Sequence, residues 1–146
     1  MHDDSVEILL VEDNPNDVEL TLHALRRGNV TNRIQVVRDG AEALDYIFGT
    51  GPYADRNDVG QPKVVLLDLK LPKVSGLEVL RDIRADARTR TLPVVVLTSS
   101  SEEPDIATAY NLGVNSYIVK PVDFEQFINA VRQVGLYWLL LNQAPR

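Results

Sequence analysis

Four short aliphatic runs in this 146-residue chain each end in residues able to do chemistry. Ile8-Leu-Leu-Val11 runs into Glu12 and Asp13, and Val64-Val-Leu-Leu67 into Asp68. Val94-Val-Val-Leu97 runs into Thr98-Ser-Ser-Ser101, and Tyr117-Ile-Val119 into Lys120-Pro121. Brief aliphatic runs fit strands covered on both faces, and ligands of an open parallel sheet bind beyond the carboxyl ends of its strands. Three carboxylates, a hydroxyl and an amine therefore converge on one rim. Clustered carboxylates repel, so they hold a proton or recruit a cation, and an oxygen-only set suits Mg2+. A charge-compensated aspartate can then attack a phosphoryl group, with Lys120 as a point charge and Thr98 as a hydroxyl donor to the phosphoryl oxygens. Taken singly, such residues are as readily helix caps or loop residues, and Asp13 or Ser75 fits that role. Asp68 is harder to dismiss, because a carboxylate ending an apolar strand pays for desolvation unless a partner compensates it.

The elements that must place these groups alternate in kind. Beside the four runs, Ile34-Gln-Val-Val37 reads as another strand. Between the strands lie helical patterns: Val18, Leu22 and Leu25 after Pro15, stopped by Gly28; Ala41, Leu44, Ile47 and Phe48; Leu77, Leu80, Ile83 and Arg84, opened by Ser75. A fourth carries Ile106, Ala109, Tyr110 and Leu112 and stops at Gly113, and a fifth begins after Asp123. Five strands each followed by a helix make an α/β domain with a parallel sheet and right-handed crossovers. The stretch Gly49–Pro62 breaks the rhythm and reads as a long exposed loop.

Composition narrows the chemistry. A net charge of -6 argues against non-specific nucleic-acid binding and against docking on an anionic membrane. There is no cysteine, hence no disulfide or thiolate site, and two histidines are too few for a histidine-built metal site. No targeting signal opens the chain, and Leu136–Leu141 is far too short to span a bilayer, so a cytoplasmic protein is expected. His23-Ala-Leu-Arg-Arg faintly resembles a phosphorylated histidine site, but reads as a surface histidine of the first helix.

Together, in order, Leu-Leu-Val-Glu-Asp-Asn-Pro (9–15), Val-Leu-Leu-Asp-Leu-Lys-Leu-Pro-Lys-Val-Ser-Gly (65–76), Val-Val-Val-Leu-Thr-Ser (94–99) and Tyr-Ile-Val-Lys-Pro (117–121) resemble the receiver domain of two-component response regulators. The resemblance implies a flavodoxin-like, doubly wound five-stranded parallel sheet of order 2-1-3-4-5 with five helices, the last extended. It implies one receiver domain over 1–146, its core at about 7–133 and a helical extension at about 134–143. It makes Asp68 the phosphoacceptor, and Glu12, Asp13, Asp68 and the Lys70 backbone carbonyl the Mg2+ ligands, Glu12 through water. Thr98 and Lys120 would contact the phosphoryl oxygens, Tyr117 would be the aromatic switch partner of Thr98, and the Lys120-Pro121 bond would be cis. With the Gly49–Pro62 stretch, the opening Glu-Asp-Asn-Pro-Asn-Asp-Val-Glu-Leu looks like the stand-alone regulators paired with bacterial phytochromes.

Three positions depart from the commoner pattern. Glu12 stands where Asp is frequent, while Lys70 and Ser100 flank the line of attack by hydrolytic water. With no output domain before Arg146, signalling is expected through protein contacts, with a sensor histidine kinase upstream. Seven of the eight residues 134–141 are apolar, more than one helix face can bury, which suggests a homodimer through helix four, strand five and helix five, using Tyr137, Trp138 and Leu141. The chain is read as a signalling phosphoacceptor rather than an enzyme with a separate substrate. Rival readings are an aspartate-nucleophile phosphatase, which normally needs a second Asp two residues past the nucleophile, and a non-phosphorylated scaffold. A phosphate shuttle remains open within the same class.

Overall fold

The computed structural model describes residues 8–27, 33–56, 60–99, 103–120 and 125–126. The strands are β1 (Ile8–Val11), β2 (Ile34–Val37), β3 (Val64–Leu67), β4 (Val94–Thr98) and β5 (Ser116–Val119). Helices α1 (Pro15–Arg27), α2 (Gly40–Phe48), α3 (Gly76–Ala85) and α4 (Glu103–Asn111) follow the first four strands in turn. All strand pairs are parallel, in the order β2-β1-β3-β4-β5. Each crossover carries a helix, and alternating side chains send the sheet's apolar groups to both faces. Ile8, Leu10, Leu66, Val95 and Leu97 pack on one face with Val18 and Leu25 of α1. Leu9, Val11, Leu67 and Val96 pack on the other with Ala43 and Ile47 of α2 and Val79, Leu80 and Ile83 of α3.

Local chemistry explains where the helices start. The Asn14 side chain accepts from the Asn16 and Asp17 backbone N–H groups at 2.8 and 3.2 Å, with Pro15 in the first turn. Asn14 thus caps α1 and leaves Asp13 outside that role. Asp39 caps α2 by accepting from Glu42 N at 2.7 Å. Ser75 and Glu78 form a reciprocal capping box at the start of α3.

Three expectations change. The stretch Gly49–Pro62 is not simply an exposed loop, because Gly51–Arg56 folds into 3₁₀ turns over α2. The Arg56 guanidinium lies 3.7 Å from the centre of the Tyr46 ring and donates to the Tyr46 carbonyl at 2.7 Å. Tyr53 meets Tyr46 edge-on at 5.0 Å, its hydroxyl donates to Glu42 Oε2 at 2.6 Å, and Gln61 donates to the Ile47 carbonyl at 2.7 Å. This cover also shifts the inward face of α2, which buries Ala43, Tyr46 and Ile47, leaving Leu44 and Phe48 at the edge of the core. Tyr110, expected on the apolar side of α4, is half exposed. Glu125 and Gln126 are helical, but the rest of the expected fifth helix and its extension lie outside the described residues.

Candidate functional site

Strand register brings the chemical groups together. Val11 and Leu67 are paired neighbours on β1 and β3, so Glu12 and Asp68 leave the sheet side by side. The Asp68 N–H donates to the Val11 carbonyl at 3.1 Å, and the Glu12 N–H to the Val37 carbonyl at 3.0 Å. Thr98, the last residue of β4, pairs with Val119, and the Lys120 N–H donates to the Thr98 carbonyl at 2.8 Å. Glu12, Asp68 and Thr98 are buried, whereas Asp13 is exposed.

Lys120 is the hub. Its ammonium donates to Glu12 Oε1, to Asp17 Oδ2 at 2.8 Å and to Asp68 Oδ2 at 3.1 Å. Backbone groups complete the arrangement, with Asn14 N–H donating to Glu12 Oε2 and Lys70 N–H to Asp68 Oδ1, each at 3.2 Å. Burial pushes the Glu12 carboxyl up to about 7 against the Lys120 hydrogen bond, with the Asp68 charge adding to the rise. Burial pulls the Lys120 ammonium down, but hydrogen bonds to Asp17 and Glu12 and the Asp68 charge prevail and raise it above its ordinary value.

One ammonium among four carboxylates leaves an excess of negative charge. Glu12, Asp13 and Asp68 each offer an oxygen within 4.8 Å of the others. Oxygen donors, a net negative site and one ligand open to water fit a hard divalent cation that keeps part of its hydration. Thr98 lies across the same rim, and Tyr117 is half-buried, its ring 6.5 Å from that of Tyr110 on α4. Lys70 is exposed. Ser100, Pro121, Tyr137, Trp138 and Leu141 lie outside the described residues. His23 is exposed on α1. Sequence reading did not single out Asp17, because its partner Lys120 lies 103 residues away and no local pattern reports on that contact.

Residues 8–132 match the response regulator receiver domain family. The chain belongs to that family. The receiver is 43% identical over 143 residues to a probable methanogenesis regulatory protein, FilR2, of Methanothrix harundinacea, covering 98% of this chain and 90% of that one. It is 54% identical to the bacteriophytochrome response regulator AtBRR, with a TM-score of 0.85 over 96% of this chain and 99% of that one. It is also similar to the Mn(2+)-bound form of response regulator Rcp1, at 32% identity and a TM-score of 0.75, covering 96% of this receiver and 97% of that chain. The receiver therefore has the flavodoxin-like sheet order and an acidic pocket of the kind its family uses for signalling. Among the described residues, no helix is long and apolar enough to cross a membrane.

Proposed function

We propose that this receiver accepts a phosphoryl group on Asp68 from the phosphohistidine of a sensor kinase and signals through protein contacts. The observation that carries the reading is the Lys120 ammonium held between Glu12 and Asp68 beside the trio Glu12, Asp13 and Asp68. An Asp68 carboxylate oxygen attacks phosphorus, the P–N bond to the kinase histidine breaks, and the departing imidazole keeps the electron pair and takes up a proton. The product is an acyl phosphate on Asp68. Lys120 shifts its N–H from the Asp68 carboxylate to a phosphoryl oxygen, and the Thr98 hydroxyl donates to another. Held by Glu12, Asp13, Asp68 and the Lys70 carbonyl, Mg2+ would screen the repulsion between nucleophile and phosphate. Drawing Thr98 toward the phosphate opens space for Tyr117 to move inward, which couples Asp68 to the α4–β5 face.

The chain is read as one receiver with its core at about 7–133 and residues 134–143 as an extension, supported by the family match over 8–132. Likeness to bacteriophytochrome response regulators supports a phytochrome-type kinase as the phosphoryl donor. The protein turns over no separate substrate, acts in the cytoplasm, and binds neither nucleic acid nor membrane. The apolar run Leu136–Leu141 supports pairing with a second copy through Tyr137, Trp138 and Leu141. Asp68→Asn should abolish Mg2+-dependent labelling by acetyl phosphate or by phosphorylated kinase, and labelling of unchanged stoichiometry would refute the assignment. Trp138→Glu should sediment as a smaller species than the wild type.

A further inference from the structure

A cation already sits among these carboxylates, and it is Lys120. An ammonium has three N–H donors, and here each goes to a different carboxylate: Glu12, Asp17 and Asp68. Glu12 and Asp68 belong to the trio suited to a divalent cation, whereas Asp17 stands apart from it. The bond to Asp17, at 2.8 Å, is shorter than the 3.1 Å bond to Asp68. Asp17 is held in the capped first turn of α1, where its backbone N–H donates to the Asn14 side chain. Its side chain is 32% exposed against 7% for Asp68 and 2% for Glu12, so it forms the outward edge of the cluster.

We propose that Asp17 is a positioning residue that receives the Lys120 ammonium when a divalent cation settles among the Glu12, Asp13 and Asp68 carboxylates. This rests on the reading of Glu12, Asp13 and Asp68 as the Mg2+ ligands. An ammonium and a divalent cation held by the same carboxylates repel each other. The Lys120 side chain is 11% exposed and cannot move its charge freely into water. Asp17 is the one of its three acceptors that metal entry leaves in place. Leaning toward Asp17 keeps the ammonium paired and beside Asp68, ready for a phosphoryl oxygen. Without Asp17 the two cations compete for the same carboxylates, and the metal binds more weakly.

Isothermal titration of Mg2+ into the full chain tests this as a double-mutant cycle. Asp17→Asn is measured in the wild-type background and in Lys120→Gln, with Glu19→Gln, an exposed acid on α1, as the control for lost charge. Asp17→Asn should weaken Mg2+ about fivefold or more when Lys120 is present and less than about twofold when it is absent, since a positioning effect must vanish with the group positioned. Glu19→Gln should change affinity less than about twofold. Lys120→Met serves as the background should Lys120→Gln lose its far-UV circular dichroism. Equal weakening in both backgrounds would make Asp17 a through-space charge and overturn the proposal, as would no weakening in either. Absence of Mg2+ binding by the wild type would instead fail the metal reading itself, and the proposal with it.

Discussion

Replacing Gly76 by alanine tests how the phosphoacceptor segment is held. Gly76 opens α3 directly against the end of β3, and its N–H donates to the Leu69 carbonyl at 2.9 Å. A Cβ at this position would lie 2.2 Å from the Asp68 carbonyl oxygen, 2.6 Å from Leu69 Cα and 3.0 Å from the Asp68 carbonyl carbon. Ordinary contact begins at 3.4 Å, so α3 or the Asp68 segment must retreat by about 1 Å. All three obstacles are backbone, one or two residues beyond the central strand β3, and no rotamer change relieves them. Overpacking of this kind costs about 1–3 kcal/mol, with the upper part of that range expected here. The better helix propensity of alanine returns less than about 1 kcal/mol. A net loss of about 2 kcal/mol lowers Tm by roughly 4–8 °C in a chain of this size. Because the displaced backbone carries Asp68, phosphorylation by acetyl phosphate should also slow, by about 10- to 100-fold for a misplacement near 1 Å. Gly60→Ala is the matched control, since its Cβ would meet nothing within 4 Å. That variant should be neutral or gain up to about 1 kcal/mol through the unfolded chain. If Gly76→Ala melts within about 1 °C of wild type and labels at the same rate, the close-approach reasoning is wrong.

Other perturbations follow from single observations. Lys73, between β3 and α3, has φ of 69°, a conformation costly for residues with a Cβ, and its exposed ammonium makes a loose ion pair to the partly buried Asp39 at 3.6 Å. Lys73→Asn should therefore stabilise by about 0.5–1 kcal/mol in urea denaturation, and a lower midpoint would contradict it. Arg84 ties the end of α3 to the loop before β4 and the turn after α4, donating to the carbonyls of Arg90, Leu92, Leu112 and Gly113 at 2.7–3.1 Å. Arg84→Met should cost about 2–4 kcal/mol and speed amide exchange at Leu112 and Gly113, with unchanged exchange arguing against the tie. Burial and the hydrogen bond to Glu42 push the Tyr53 phenol up to about 12. Its folded value lies above the ordinary 10, so the stability it contributes is present below pH 10 and lost as pH rises toward 12. Spectrophotometric titration of wild type against Tyr53→Phe should place the missing transition near 12, and a transition near 10 would refute the packing of the 3₁₀ segment on α2.

Strand identity was legible because a strand buried on both faces leaves a compact aliphatic signature. Val64–Leu67 could be read without knowing its neighbours, and so could the oddity of Asp68 at its end. The second helix was harder. Its inward face depends on Tyr46 being covered by Tyr53 and Arg56, residues whose Gly- and Pro-containing stretch carries no periodic pattern. Polar side chains over an aromatic ring look like surface until the ring beneath them is known.

The residues themselves determined the class of chemistry: carboxylates, one hydroxyl and one amine, each following an aliphatic run, with no thiol to compete. What only the tertiary structure decided was how one ammonium is shared. Lys120 reaches Glu12, Asp17 and Asp68 across 108, 103 and 52 positions of chain, separations on which no local pattern reports. Those contacts exist because crossovers place β1, β3, β4 and β5 side by side with their carboxyl ends on one rim. Asp17 joins them because Asn14 caps α1 and so starts the helix beside that rim, within reach of Lys120.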